Sequence, residues 1–276
     1  MATDLDRVME YYRQTGWQYK LVWSPEHLHY GWWDDGVSSH AASLTRMLEV
    51  LANAGSVYFP GTKVLDAGCG TGGTARWLAE ARGAQVVGVS VVPEQIAEAN
   101  RIRLRKGVRG VRFFCADYRD LPLPNESFEV VFAIESSCYA RPKLDFLTEA
   151  FRVLEPGGRL VVADFYRTGQ ATQRLERCLE EWEQDWAMPR LQTPDEWYDD
   201  LLTAGFSRVS SWDVTRNVLP SARRLRRLVR VFGPLARLSA LWAPRVPIRN
   251  ILSAQRQWEV LSQGAACYRI TVASKQ

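Results

Sequence analysis

The run Val64-Leu65-Asp66-Ala67-Gly68-Cys69-Gly70-Thr71-Gly72-Gly73 joins a short apolar strand to a helix over Gly73–Arg82 through an acid and alternating glycines. Glycine lets backbone approach a ligand closely and takes positive φ without penalty. The helix that follows offers unpaired N–H groups at its start. Together these features make a nucleotide-type pocket. Gly68, Gly70 and Gly73 also satisfy G-x-G-x-x-G, the spacing of dinucleotide sites. Such a site holds a pyrophosphate at the helix N-terminus and wants an acid about 20 residues on for the ribose. Here the acid comes two residues before the first glycine, where it repels a diphosphate, and the second strand ends in Ser90 without one. Asp66 suits a ligand with a cationic amine, such as the methionine end of S-adenosylmethionine. An NAD-dependent oxidoreductase remains the rival on the glycine spacing alone.

The elements that must position this turn alternate from residue 63 to about 164. Strands are expected over Lys63–Asp66, Gln85–Val89, Val111–Phe114, Glu129–Ala133 and Arg159–Asp164, and helices over Gly73–Arg82, Pro93–Lys106 and Lys143–Leu154. Pro93 suits a first helical turn, and Glu155-Pro156-Gly157-Gly158 reads as the turn between the third helix and the fifth strand. This is the pattern of an α/β, doubly wound, mostly parallel sheet, which binds ligands beyond the C-terminal strand ends. Two late strands, Arg208–Val214 and Cys267–Ala273, bring the count to seven. The organisation expected is a helical lid over 1–58, a cofactor-binding core over 59–165, further core elements with a helical cap over 166–266, and a final strand over 267–276. Within 166–192 an amphipathic helix sets Leu175, Leu179, Trp182 and Trp186 against Glu176, Glu180 and Glu183.

Bulk properties narrow the function classes. Lys and Arg number 35 against 31 acids, a net charge of +4, too mild to imply nucleic acid. No apolar run approaches the roughly 20 residues that span a bilayer, and Met1–Glu10 lacks the apolar core of a signal peptide. Five dispersed cysteines without C-x-x-C spacing suit a reducing cytoplasm and argue against a zinc site. Tryptophan is abundant outside the core, at Trp17, Trp23, Trp32, Trp33, Trp182, Trp186, Trp242 and Trp258, which suggests the walls of an apolar pocket.

The glycine motif, with Glu26-His27-Leu28-His29-Tyr30-Gly31-Trp32-Trp33, Gly88-Val89-Ser90-Val91-Val92-Pro93-Glu94-Gln95, Ala116-Asp117-Tyr118, Ile134-Glu135-Ser136 and Leu154-Glu155-Pro156-Gly157-Gly158, resembles the class I S-adenosylmethionine-dependent methyltransferases. Within them the chain is similar to the tocopherol, sterol side-chain and prenyl-diphosphate subgroup. The resemblance implies a Rossmann-like core and methyl transfer to a mainly apolar small molecule, isoprenoid, phenolic or polycyclic, leaving S-adenosylhomocysteine. It places Gly68, Gly70 and Gly72 along the methionine part, Asp66 at the amine, Ser90 and Gln95 at the ribose, and Asp117 with Tyr118 at the adenine, and it counts Ile134 among the cofactor-binding residues. His29 and Tyr30 fall in a lid over the cofactor, with Trp32 extending the roof. A catalytically silent binding protein with the pocket kept is the alternative.

Methyl transfer from a sulfonium is an in-line displacement in which the cofactor brings the reactivity and the protein supplies orientation and enclosure. A base helps an acceptor that must lose a proton, by about 10²–10⁴-fold. Glu135, just after the fourth strand, is the first candidate for that base or for stabilising a cation. Tyr139 stands where tocopherol- and sterol-type relatives often have histidine, so a histidine base is in doubt; its hydroxyl is a candidate to orient an acceptor. His27-x-His29 lacks the further ligands a metal needs, and no metal is expected. The stretch from Val214 to Val260 holds many arginines against the one acid Glu259. Ser221 reads as an N-cap there and Gly233-Pro234 as a break. Three readings stay open: a cap helix with a solvated basic face, a membrane-surface helix over 221–242, and an anion site for the substrate through Arg223 and Arg227. The location expected is cytoplasmic, with or without peripheral membrane contact; the oligomeric state is unassigned.

Overall fold

The computed structural model describes residues 4–239 and 245–276. Helices α1 (Asp4–Val22) and α2 (His40–Ala54) precede the alternating core of β1 (Lys63–Ala67), α3 (Gly73–Arg82), β2 (Gln85–Ser90), α4 (Pro93–Lys106), β3 (Val111–Cys115) and β4 (Phe128–Ile134). After a 3-10 turn over Ser137–Tyr139 come α5 (Lys143–Val153), β5 (Leu154–Arg167), α6 (Gln173–Asp185), α7 (Pro194–Thr203), β6 (Ser207–Asp213), α8 (Thr215–Ser239), α9 (Arg245–Ser262) and β7 (Ala266–Ser274). The seven strands lie in the order β3-β2-β1-β4-β5-β7-β6. Only β7 runs against its neighbours. The expected doubly wound, mostly parallel sheet is therefore what forms.

Helices on both faces explain why the central strands read as continuous apolar runs. Met47, Leu78 and Phe132 pack on one face and Leu65, Val131, Phe146 and Leu201 on the other. Each such side chain, fully buried, contributes about 1.5–3 kcal/mol relative to exposure. Helices α3 and α4 end on Gly83 and Gly107, whose left-handed φ of 67° and 66° completes the cap. The chain reverses its winding between β1 and β4, so the C-terminal end of β1 is the switch point where such sheets take ligands. Among the described residues no helix is long and apolar enough to cross a membrane.

Four local expectations change. Glu155–Gly158 does not separate α5 from its strand: β5 starts at Leu154, and the four residues make a register shift opposite Phe128 and Val130. Their backbone bonds to Lys275 at the end of β7. Ser221 caps nothing. It lies inside α8, whose first turn is instead capped by Asp213 Oδ1 accepting from Thr215 N–H at 2.9 Å. Gly233-Pro234 does not break that helix, which continues to Ser239. Glu183 leaves the polar face of α6 to meet Arg167 in a buried, two-bond ion pair at 2.9 and 2.7 Å, because a guanidinium at the end of β5 needs a partner once desolvated. Trp242 lies outside the described residues.

Candidate active site

A cavity opens at the C-terminal ends of β1, β2 and β4 and the loop after β3. Its floor is the glycine turn. Gly68 has φ 89° and a Cβ there would meet Ser136 Cβ at 2.4 Å; Gly70 has φ 52° and would press on Leu28. Crowding from the β4 loop below and the lid above therefore adds to the backbone demand for glycine. Gly72 departs from expectation. It does not line the cavity but forms the left-handed N-cap of α3 with its Cα against the Phe113 ring. Gly73 and Thr74 line the cavity instead.

Asp66 lies buried at this floor. Its carboxyl accepts the Ala75 N–H, and Oδ2 has no partner among the described residues. Burial pushes the group up to about 7, with no cation nearby to oppose it. At the end of β2, Ser90 Oγ donates to Gln95 Oε1 at 2.8 Å and accepts from Val92 N–H at 3.2 Å. Asp117, after β3, also lines the cavity, but Arg119 occupies both its oxygens through Nε, Nη2 and the backbone N–H at 2.6–3.1 Å. Few of its roughly four acceptor positions remain. The Tyr118 hydroxyl donates to the Ser136 carbonyl at 2.8 Å, and Ile134 completes this side.

Glu135 has φ 49°, a left-handed backbone that is uncommon for a side-chain-bearing residue and concentrates at functional sites. The turn aims its carboxyl into the cavity, where Oε1 accepts from Tyr30 N–H at 2.6 Å and from the Tyr268 hydroxyl at 3.0 Å. Oε2 takes no hydrogen bond from a described residue. Burial pushes the group up to about 8, Asp164 adds to the rise, and the two donors oppose it.

The cover is the segment between α1 and α2. Glu26 pairs with Lys106 and Arg76. The Trp23 indole N–H donates to the His29 carbonyl at 3.1 Å. His29 Nδ1 sits 2.8 Å from the Tyr30 carbonyl, which can only accept; Nδ1 thus carries the proton and Nε2, without a partner, is a lone pair. Burial pushes His29 down to about 3 and His27 to about 4, so both rings are neutral near pH 7. The Tyr30 hydroxyl bonds Gln257 on α9, and Ser221 on α8 binds Gly31 N–H and the Trp33 indole at 3.1 and 3.0 Å. The other wall is apolar and aromatic: Leu5, Val8, Tyr12 and Tyr19 from α1, Tyr139, Phe165, Trp186, Met188, and Leu225 from α8. The Tyr12 hydroxyl donates to that of Tyr139 at 3.2 Å.

Four expected substrate contacts lie elsewhere. Trp32 does not line the cavity, because its indole is drawn outward to Asp34, itself paired with Arg46. Trp182 is fully buried behind the wall, edge-on to Phe165 and Trp186. Arg223 and Arg227 are exposed on the outer face of α8; Arg223 covers the Trp258 ring at 5.3 Å, with Arg226 beside it. The only cation on the cavity wall is Arg119, among the described residues. Sequence reasoning missed Tyr268, Tyr12 and Tyr19, which come from β7 and α1 and carry no local motif.

Residues 65–162 match the model of a methyltransferase domain. The 27-O-demethylrifamycin SV methyltransferase of Amycolatopsis mediterranei (strain S699) is 32% identical over 197 residues, covering 71% of this chain and 72% of that protein. The chloroplastic tocopherol O-methyltransferase of Arabidopsis thaliana is 27% identical over 238 residues, 77% of this chain and 66% of that one. Among solved structures, the cyclase SpnF has a TM-score of 0.80 at 24% identity, covering 99% of this chain and 96% of its own, a likeness of fold.

Proposed function

The chain belongs to the S-adenosylmethionine-dependent small-molecule methyltransferases, and from that premise we propose that it methylates a hydroxyl group on an apolar acceptor, with Glu135 taking the proton. The observation that carries this reading is a pair of desolvated carboxyls, Asp66 and Glu135, facing one cavity without a cation from the chain to match either. Buried carboxylates need a partner or remain protonated. A ligand that brings its own positive charge supplies that partner; a diphosphate or carboxylate acceptor worsens the mismatch. The buried Oδ2 of Asp66, without a partner among the described residues, matches an ammonium group in charge and hydrogen bonding. Gly68 and Gly70 lie along the methionine part, Ser90 and Gln95 face the ribose, and Tyr118, Ile134 and the remaining lone pairs of Asp117 flank the adenine. His29 and Tyr30 cover the cofactor. The cofactor supplies a methyl group on a sulfonium sulfur, which keeps the bonding pair when the methyl leaves.

Tyr12, Tyr19, Tyr139, Phe165, Trp186 and Met188 hold an apolar ring system or chain by burial, and the tyrosine hydroxyls orient its polar end. Glu135 Oε2 accepts the hydroxyl proton as the acceptor oxygen gains its methyl. The lid excludes water, which strengthens the interactions inside. The test is transfer of labelled methyl from S-adenosylmethionine to a panel of phenols, prenylated hydroquinones and polyketide alcohols. Glu135→Gln is expected to retain S-adenosylhomocysteine binding and lose about 10²–10⁴ in turnover, the usual worth of a positioned base. Full turnover in that variant removes the base assignment.

Charge supports a membrane partner for the same protein. The 45 residues from 214 to 258 hold ten arginines and no acid, a charge of +10, leaving 4 − 10 = −6 on the rest. Arg216, Arg223, Arg227 and Arg230 follow helical spacing on the exposed side of α8, opposite the buried Val218 and Ala222. Such asymmetry turns this face toward an anionic surface. In this reading the protein is cytoplasmic and docks reversibly where lipophilic acceptors dissolve.

A further inference from the structure

We propose that Tyr268 is a positioning residue of this reaction: its hydroxyl, together with the backbone N–H of Tyr30, fixes Oε1 of Glu135 and so leaves Oε2 as the proton-accepting atom. The inference rests on the reading of Glu135 as base. Tyr268 lies on β7, fully buried, its ring edge-on to Phe165 at 4.9 Å and nearly parallel to Tyr30. Its hydroxyl has two acceptors in reach, Glu135 Oε1 at 3.0 Å and the Ala163 carbonyl at 3.4 Å. Neither the carbonyl nor an ionised carboxylate can donate, so the tyrosine proton goes to them. Burial, with Glu135 and Asp164 beside it, holds the phenol well above its ordinary range, so it stays a donor at any working pH.

The geometry gives the two oxygens of Glu135 different tasks. Oε1 accepts twice, from the lid and from the sheet. Oε2 keeps its lone pairs for the cavity. Both donors favour the ionised form and oppose the burial that pushes this group up to about 8. The other groups facing it give no such help. Asp164 on β5 repels the charge, although its own oxygens are tied down by Ser137, Cys138 and Phe165. Tyr12 and Tyr19 on α1 and Cys138 in the 3-10 turn are neutral and held high by burial. Lys143 faces Asp164 and spends its protons on the Cys138 and Ala140 carbonyls. Within the chain, ionisation of Glu135 therefore depends on two hydrogen bonds, and one of them needs Tyr30 over the site. Tyr268 supplies the one from the sheet, and Tyr30 supplies the other from the segment that covers the site.

The test compares full-length wild type with Tyr268→Phe, which keeps the ring and its packing. Infrared difference spectra against Glu135→Gln isolate the carboxyl of Glu135 across pH without any acceptor. In Tyr268→Phe the carbonyl stretch of the protonated form should rise in frequency and the titration midpoint should move up. A hydrogen bond to a charged group is worth about one factor of ten. Turnover on any acceptor found active should thus fall about tenfold at pH 7, recover to near wild type at high pH, and leave KM for S-adenosylmethionine unchanged. A midpoint and stretch identical to wild type overturn the role of Tyr268 while leaving Glu135 as base. Undiminished turnover in Glu135→Gln overturns the base itself, whatever Tyr268→Phe does. A pH-independent loss in Tyr268→Phe reduces Tyr268 to packing and overturns the proposal.

Discussion

Gly73→Ala should pry the lid off the site by pressing on its backbone. Gly73 opens α3 with an ordinary helical backbone, and a Cβ built there falls 2.1 Å from the Glu26 carbonyl oxygen and 2.7 Å from His27 Nδ1. Alanine itself favours the helix by roughly 0.5–1 kcal/mol over glycine. The cost therefore lands on the other partner. The nearest obstacle is backbone, which cannot swing aside as the end of a side chain can, so the segment from Glu26 onward must move. Overpacking of this kind costs about 1–3 kcal/mol. That energy is drawn from the closed lid, whose Tyr30 N–H holds Glu135 at 2.6 Å. Spent wholly on closure, it weakens S-adenosylhomocysteine binding by about 5–150-fold. Calorimetric titration measures the affinity, and limited proteolysis of residues 24–37 reports the opening. Gly157→Ala is the comparison: φ is 83° with open space around the Cβ, so it strains a distant turn and should lower stability while leaving affinity alone. Wild-type affinity and protease resistance in Gly73→Ala would refute the idea that the lid seats on this glycine.

Two other outcomes follow from the charges. Asp66 and Glu135 hold their protons to about pH 7 and 8 in the fold but release them near pH 4 when unfolded. Between those limits these two groups bind more protons in the native state, so their contribution is fullest near pH 4 and is lost as pH rises through 8, by at most about 1.4 kcal/mol per unit for each group. His27 and His29, kept neutral by burial, act the opposite way below their unfolded value near 6.5, so the denaturant midpoint of the ligand-free protein should decline from about pH 6.5 to 8, less steeply in Glu135→Gln, and a flat profile there contradicts the burial argument. The protein should sediment with phosphatidylglycerol vesicles at low salt and not with phosphatidylcholine. Each arginine near an anionic surface is worth about 1 kcal/mol, so Arg223→Glu with Arg227→Glu should weaken binding by about 30-fold or more; indifference to lipid charge removes the docking face.

Local signals read well and long-range ones did not. The strand–glycine–helix turn is specified within ten residues, so β1, α3 and the place of the cavity were legible, as was the sheet from its alternation with helices. Ser221 failed as an N-cap because its hydroxyl answers Gly31 and Trp33, some 190 residues away in sequence. Glu183 looked solvated by helical spacing, and only the position of Arg167 explains its burial. The arginines of α8 were legible as a cationic stripe; which way the stripe faces was not, because the apolar residues between them decide it by packing toward the cavity. Trp182 and Trp186 share one helical face, yet the first fills core and the second lines the cavity. Tyr268 had no signal at all, since nothing in Cys267–Ala273 separates it from other inward residues of a strand.

Composition does not reveal which acids do chemistry here; their partners do. Of the acids lining the cavity, Glu26 is matched by Arg76 and Lys106 and Asp117 by Arg119, while Asp4 lies within reach of Arg7 and Arg141. Asp66 and Glu135 have no such match, and both sit where the sheet reverses its winding. A protein gains nothing in stability near neutral pH from two desolvated, unpaired carboxyls. On the proposed reading, their arrangement serves a ligand that carries positive charge into the chamber. Two cationic groups on one molecule, an ammonium and a sulfonium, would answer both carboxyls at once. A ligand whose charge is negative satisfies neither. On the proposed reading the acceptor is neutral as well: the cofactor's charge joins the two hydrogen bonds in favouring the ionised form of Glu135, and the chamber beyond it, walled by tyrosine, tryptophan and methionine, offers no unpaired cation among the described residues to receive an anion.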